Sequence, residues 1–229
     1  MIPLKDNIPS RTFPFVNISL IILNIVVFLY EVSLGPYLEH FIFHFGVIPH
    51  KFILLLSSDT FYPAATFLPL FTSLFLHGGW LHLLGNMLYL WIFGDNVEDV
   101  LGHARYLIFY LLCGIGAGMT HIITQSVSQV PTIGASGAIA GVMGAYFVLF
   151  PKARVVTLVP IFFFIQLIEI PAFFFLAFWL IMQLFSGTFS GSSAYSGGIA
   201  FWAHIGGFAC GMLLLLFFRR RRRIRYSYR

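Results

Sequence analysis

The feature that most restricts this chain is the recurrence, from Phe13 to Phe218, of apolar runs of roughly bilayer-crossing length with no long polar stretch between them. About 17 to 25 apolar residues cross ~30 Å of hydrocarbon as a helix. Windows of that kind fall at about 13–32, 68–93, 105–125, 136–151, 170–186 and 201–218. Only 9% of the 229 residues are charged and 59% are hydrophobic. A water-facing surface needs roughly a quarter charged residues, so an ordinary soluble fold and a disordered chain are both excluded. The expected architecture is all-α: a polytopic membrane protein with six transmembrane helices in one domain, 1–229. Its core covers about 9–218, and 219–229 form a basic tail.

The first run follows Lys5 and Arg11 and ends at Glu31 and Gly35-Pro36 with no small-residue cleavage site. It reads as a retained span rather than a removed signal. The stretch from Val155 to Phe185 would reach ~46 Å as one helix, too long for a single crossing. Pro160 and Pro171 interrupt it, which predicts an interfacial or folded-back segment followed by a span starting near Pro171. On that reading Glu169 lies at the interface, near a helix N-terminus.

Seven of the thirteen Lys and Arg residues lie between Arg219 and Arg229, directly after an apolar run. That placement marks a cytoplasmic anchor lying near anionic lipid, not a nucleic-acid surface. With six crossings both termini are cytoplasmic. Lys5, Arg11, Arg105, Lys152, Arg154 and the seven tail arginines then fall inside, and Lys51 alone falls outside. Spans two, four and six enter from the outer face. Cys113 and Cys210 sit in apolar runs and read as small hydrophobes rather than a disulfide or metal pair.

Polar residues within spans are costly and therefore informative. Ser136 opens span four, His204 lies near the outer start of span six, and span two carries His77, His82 and Asn86. All begin at comparable depth. A serine hydroxyl needs a base to take its proton, and a neutral imidazole is a suitable one. A tetrahedral oxyanion needs donors, which Asn86, His82 and the backbone N–H groups at a helix start can provide. His82 and Asn86 are four residues apart and share a helix face. Small residues at Gly137, Gly141 and Gly144, and at Gly207 and Gly211, let spans four and six pack closely. His204 lies on that smooth face.

Gly134-x-Ser136-Gly137, Ala203-His204-x-Gly206-Gly207 and His77-x4-His82-x3-Asn86 together resemble the rhomboid intramembrane serine proteases, on the same spans of a six-helix core. The resemblance covers about Pro9 to Phe218. It implies a Ser136–His204 catalytic dyad and an oxyanion hole from Asn86, His82 and the Ser136 backbone. His77 is a supporting neighbour, and Gly134 and Gly137 flank the nucleophile. It also implies transmembrane protein substrates, cut near the outer face where the helix unwinds. No cofactor and no metal are expected. A compact core of this kind looks bacterial, which places it in the inner membrane. Two features depart from the family pattern. Ala140 stands where many members stack an aromatic on the catalytic histidine, and the Trp-Arg pair often found in the first external loop would fall near Leu68-Pro69 and is missing.

No carboxylate is placed to orient His204. Glu31, Glu39 and Asp59 are expected at or beyond the outer surface, and Asp95 and Asp99 in the cytoplasmic loop after span two. Zinc chemistry would need His-Glu-x-x-His, which the sequence lacks. The remaining histidines, His121 and His103 among them, read as loop or helix-surface residues. The rival class is a non-catalytic rhomboid-like protein that binds transmembrane clients without cutting them. A polar cavity open to the outer side and a short span four are expected of the protease.

Overall fold

The computed structural model describes residues 1–60, 62–161, 164–189 and 200–219. A short strand β1 (Ile2–Asp6) precedes α1 (Phe15–Ser33), then three short helices, α2 (Leu38–Phe45), α3 (Pro49–Leu56) and α4 (Pro63–Thr72). The bundle continues with α5 (Trp80–Leu101), α6 (His103–Thr124) and α7 (Ser136–Leu149). A hairpin, β2 (Arg154–Ile161) and β3 (Phe164–Pro171), leads into α8 (Ala172–Phe189) and α9 (Phe201–Phe218). A helix stands at each of the six expected places. The protein is an all-α polytopic membrane bundle with a small sheet appended.

The bundle is apolar outside and selectively polar inside, as a lipid-solvated fold requires. In α1 the buried positions are Asn17, Leu20, Asn24, Phe28 and Glu31, one stripe at helical spacing. Ile22, Val26 and Leu29 face outward instead. The Asn17 amide donates to the Leu90 carbonyl at 3.0 Å and accepts the Tyr106 hydroxyl proton at 2.8 Å. A helix start leaves its first N–H groups without partners. The buried Glu98 carboxylate of α5 satisfies two of them, accepting from Val16 at 3.0 Å and Asn17 at 2.7 Å. Asp99, one residue on, accepts from the backbone N–H groups of Arg11 and Thr12.

At the centre stands α7, buried without interruption from Gly137 to Tyr146. Its glycines work as expected: a Cβ on Gly207 would fall on the Gly137 carbonyl, and one on Gly211 on the Gly141 carbonyl. Helices α7 and α9 therefore meet backbone to backbone. Around them pack Leu90, Phe93 and Val97 of α5 and Tyr106, Phe109 and Tyr110 of α6, all fully buried.

Several boundaries and depths differ from expectation. The second span starts at Trp80, not near 68, and the residues before it form a separate helical segment bent by 80° from α5. The Gly78-Gly79 pair lies in the break, with Gly79 at φ +156°. Asp95 and Asp99 belong to the last turns of α5 rather than to the following loop. Gly102, at φ +81°, then turns the chain directly into α6. The apolar stretch after Ala153 is neither helix nor irregular but the β2–β3 hairpin, rich in β-branched residues. The chain folds back there as anticipated, and β1 adds to it antiparallel, with Ile2 opposite Leu158 and Asp6 opposite Val155. Pro160 lies beyond the reach of β1, where β2 has a partner on one side only. Glu169 sits in β3, three residues before the start of α8, and pairs with Arg154 at 3.4 Å. Glu31 is 1% exposed rather than surface-lying. Of the basic tail, all but Arg219 lies outside the described residues.

Candidate active site

Ser136 is the first residue of α7. The fourteen residues of α7 span ~21 Å, less than the ~30 Å thickness of the hydrocarbon. The approach to Ser136 is held in place. Thr132 and Val47 form an isolated antiparallel bridge, and the Gly134 N–H donates to the Ser73 carbonyl at 2.9 Å. Gly134 has φ +126°, and a Cβ there would stand 2.8 Å from Cε1 and Nε2 of His82. Only glycine satisfies both the turn and the imidazole.

The Ser136 Oγ and the His204 Nε2 are 2.7 Å apart, a hydrogen bond between α7 and α9. On its other side the His204 Nδ1 lies 2.8 Å from the Gln183 Oε1 of α8. The Trp179 ring, one turn before Gln183 on the same face, lies 5.8 Å from the imidazole at an interplanar angle of 36°. A carbonyl acceptor at Nδ1 places the proton there. The Nε2 lone pair then points at the serine hydroxyl.

Three donors surround the same point. The Gly78 N–H donates to the His82 Nδ1 at 3.3 Å, which leaves the His82 Nε2 carrying its proton toward Gly134. The Asn86 amide nitrogen is buried with no hydrogen-bond partner among the described residues and lies 3.7 Å from where a Gly134 Cβ would be. The N–H groups of the first turn of α7 are the third source. This convergence of unspent donors beside a serine hydroxyl suits a developing oxyanion.

A cavity of about 670 Å³ holds these groups together, walled by Ser136, His204, His82, Asn86, Trp179 and the loop at Pro131–Gly134. The sequence-predicted residues Ser136, His204, His82, Asn86, Gly134 and Gly137 all line it. His77 does not; it is buried behind His82, ring centroids 5.1 Å apart. Its backbone N–H donates to the Glu31 carboxylate at 3.1 Å, so Glu31 anchors the loop that carries His77 instead of lying at the outer surface. His121, expected on a loop or helix surface, lines the cavity, and His103 pairs with Glu98. Sequence reasoning missed Gln183 and Trp179. The sequence shows Gln183 as a lone amide within the apolar run of α8 but not the direction in which it faces.

Apolar helices around a part-buried serine and histidine define a class of polytopic membrane proteins whose polar residues face inward. The Rhomboid domain model matches residues 64–221, well over half of the chain. The chain therefore belongs to the rhomboid family and is an integral membrane protein. RHOMBOID-like protein 5 of Arabidopsis thaliana is 37% identical over 76 residues, 33% of this chain and 25% of that relative. Putative rhomboid protease YdcA of Bacillus subtilis (strain 168) is 39% identical over 77 residues, 34% of this chain and 38% of its own length. Rhomboid protease GluP of the same organism is 42% identical over 76 residues, 33% of this chain and 14% of its own length. The aligned region is thus a minor part of each relative.

Proposed function

We propose that this chain is an intramembrane serine endopeptidase acting on transmembrane protein substrates. The observation that carries the reading is the 2.7 Å bond between the Ser136 Oγ and the His204 Nε2 on the wall of a cavity that His82 and Asn86 share. Ser136 attacks the scissile carbonyl carbon while His204 takes the hydroxyl proton at Nε2. The carbonyl electron pair moves onto oxygen, where Asn86, His82 and the Ser136 backbone N–H stabilise it. Collapse breaks the C–N bond as His204 returns the proton to the departing amine. Water then repeats the sequence on the acyl-enzyme.

In this reading 1–229 act as a single membrane domain with both termini in the bacterial cytoplasm, and the basic tail sits against anionic lipid. The chemistry needs no cofactor. Protease names among the relatives support the activity, and the intact serine and histidine weigh against a client-binding relative that does not cut. The test is cleavage of single-span model substrates in reconstituted membranes, with fluorophosphonate labelling alongside. Wild type is expected to cleave and to label at Ser136, and Ser136→Ala and His204→Ala are expected to abolish cleavage while remaining folded. Cleavage by the folded Ser136→Ala protein, or wild type inert to both assays, defeats the proposal.

A further inference from the structure

We propose that Gln183 is a positioning residue for His204, acting through its side-chain carbonyl and assisted by Trp179, so that the site works as a Ser–His–Gln relay. The inference rests on the reading of Ser136 and His204 as a catalytic pair. It starts from a gap in that pair: the residue four after the serine is Ala140, too small to hold an imidazole. Nothing on α7 takes over that task. The structure supplies the hold from α8, with the Gln183 Oε1 at 2.8 Å from the His204 Nδ1 and the Trp179 ring at 5.8 Å from the imidazole. The two side chains are four residues apart and together grip the edge and face of one ring.

Its chemistry follows from what an amide carbonyl can and cannot do. By accepting from Nδ1–H it selects the tautomer whose Nε2 is free to receive a proton, the role a buried carboxylate plays in a triad. When the Ser136 Oγ forms its bond to the substrate carbon, the Oγ proton passes to Nε2 and the Nδ1–H stays with Gln183. The carbonyl dipole points its negative end at the imidazolium. No formal charge has to be held in hydrocarbon while the enzyme waits, whereas a carboxylate at the same place would carry one. An amide turned the other way would donate to Nδ1, put the proton on Nε2 and disable the base.

The measurement is the rate of fluorophosphonate labelling at Ser136 and the pH profile of kcat/KM in reconstituted membranes, for wild type, Gln183→Leu and Gln183→Glu. Gln183→Leu is expected to lower labelling and kcat together by roughly 10- to 100-fold, the worth of one hydrogen bond to a charged group, with KM within about threefold. Gln183→Glu is expected to recover activity above the Leu variant and to move the acidic limb of the profile to higher pH, because a carboxylate favours the imidazolium. His82, His121 and Tyr89, the other titratable side chains on the cavity wall, are unchanged in both variants. Should Gln183→Leu fail to fold, the shifted limb in Gln183→Glu carries the test by itself. Wild-type labelling by Gln183→Leu, or an unmoved profile in Gln183→Glu, overturns the inference. A wild type that labels while Ser136→Ala does not shows that the dyad stands even if Gln183 falls.

Discussion

Gly207→Ala offers a quantitative test of how the site is held. An ideal Cβ on Gly207 would stand 2.1 Å from the Gly137 carbonyl oxygen and 3.0 Å from its carbon. A carbon settles roughly 3.3–3.6 Å from a carbonyl oxygen, so α9 has to retreat from α7 by about 1–1.5 Å. His204 is three residues away on the same face and moves with it. The Ser136–His204 distance, 2.7 Å now, then reaches roughly 3.7–4.2 Å, past the limit of a hydrogen bond. General-base catalysis is worth about 10²–10⁴ in rate, so a fall in kcat/KM of about 100-fold is expected. Alanine also improves helix propensity by about 1 kcal/mol, which offsets part of the packing loss and leaves a foldable protein. Gly211→Ala applies a tighter wedge, 1.9 Å from the Gly141 carbonyl oxygen, but seven residues from His204, and should disturb activity less. Cleavage and fluorophosphonate labelling in nanodiscs, alongside thermal unfolding, read both effects. Near wild-type labelling by Gly207→Ala would refute the idea that the backbone contact sets the dyad distance.

Removing the Asn86 amide should act on the transition state alone: Asn86→Ala is expected to lower kcat about 10²–10³-fold with little change in KM, and steady-state kinetics on a model substrate decides it. Asp6 provides a pH test outside the spans. Burial pushes its carboxyl up to about 6 from the usual 3.8, against hydrogen bonds from Tyr146 at 2.5 Å and Asn96 at 3.0 Å. The folded state binds this proton more tightly, so its stabilisation is full below pH ~4 and is lost as pH rises through about 6, by up to ~3 kcal/mol. Asp6→Asn should flatten that part of the dependence, and unfolding midpoints at pH 4.5 and 7.5 would show whether it does.

The residues that carry chemistry were legible because hydrocarbon makes each polar group conspicuous. Ser136 and His204 stood beside smooth faces, and the faces meet as their small residues required. What could not be read were features that depend on rotation and depth. Gln183 becomes meaningful only when α8 turns it toward α9, and the apolar pattern of that helix has no polar side from which to infer its facing. Glu31 belongs to an inward stripe with Asn17 and Asn24, and a charge near the end of an apolar run looks the same whether it faces water or a neighbouring helix. The apolar run of β3 showed no alternation, since Phe164, Ile165 and Leu167 are all exposed.

The pairing of β1 with β2 has a topological corollary. Strands that exchange hydrogen bonds cannot be parted by a bilayer, so the polypeptide between Asp6 and Arg154 must traverse it an even number of times. Helices α1, α5, α6 and α7 make four passages only if α7, at fourteen residues, counts as a complete one. Its length is no penalty, because the flanking helices sheath it and the lipid chains never register the mismatch.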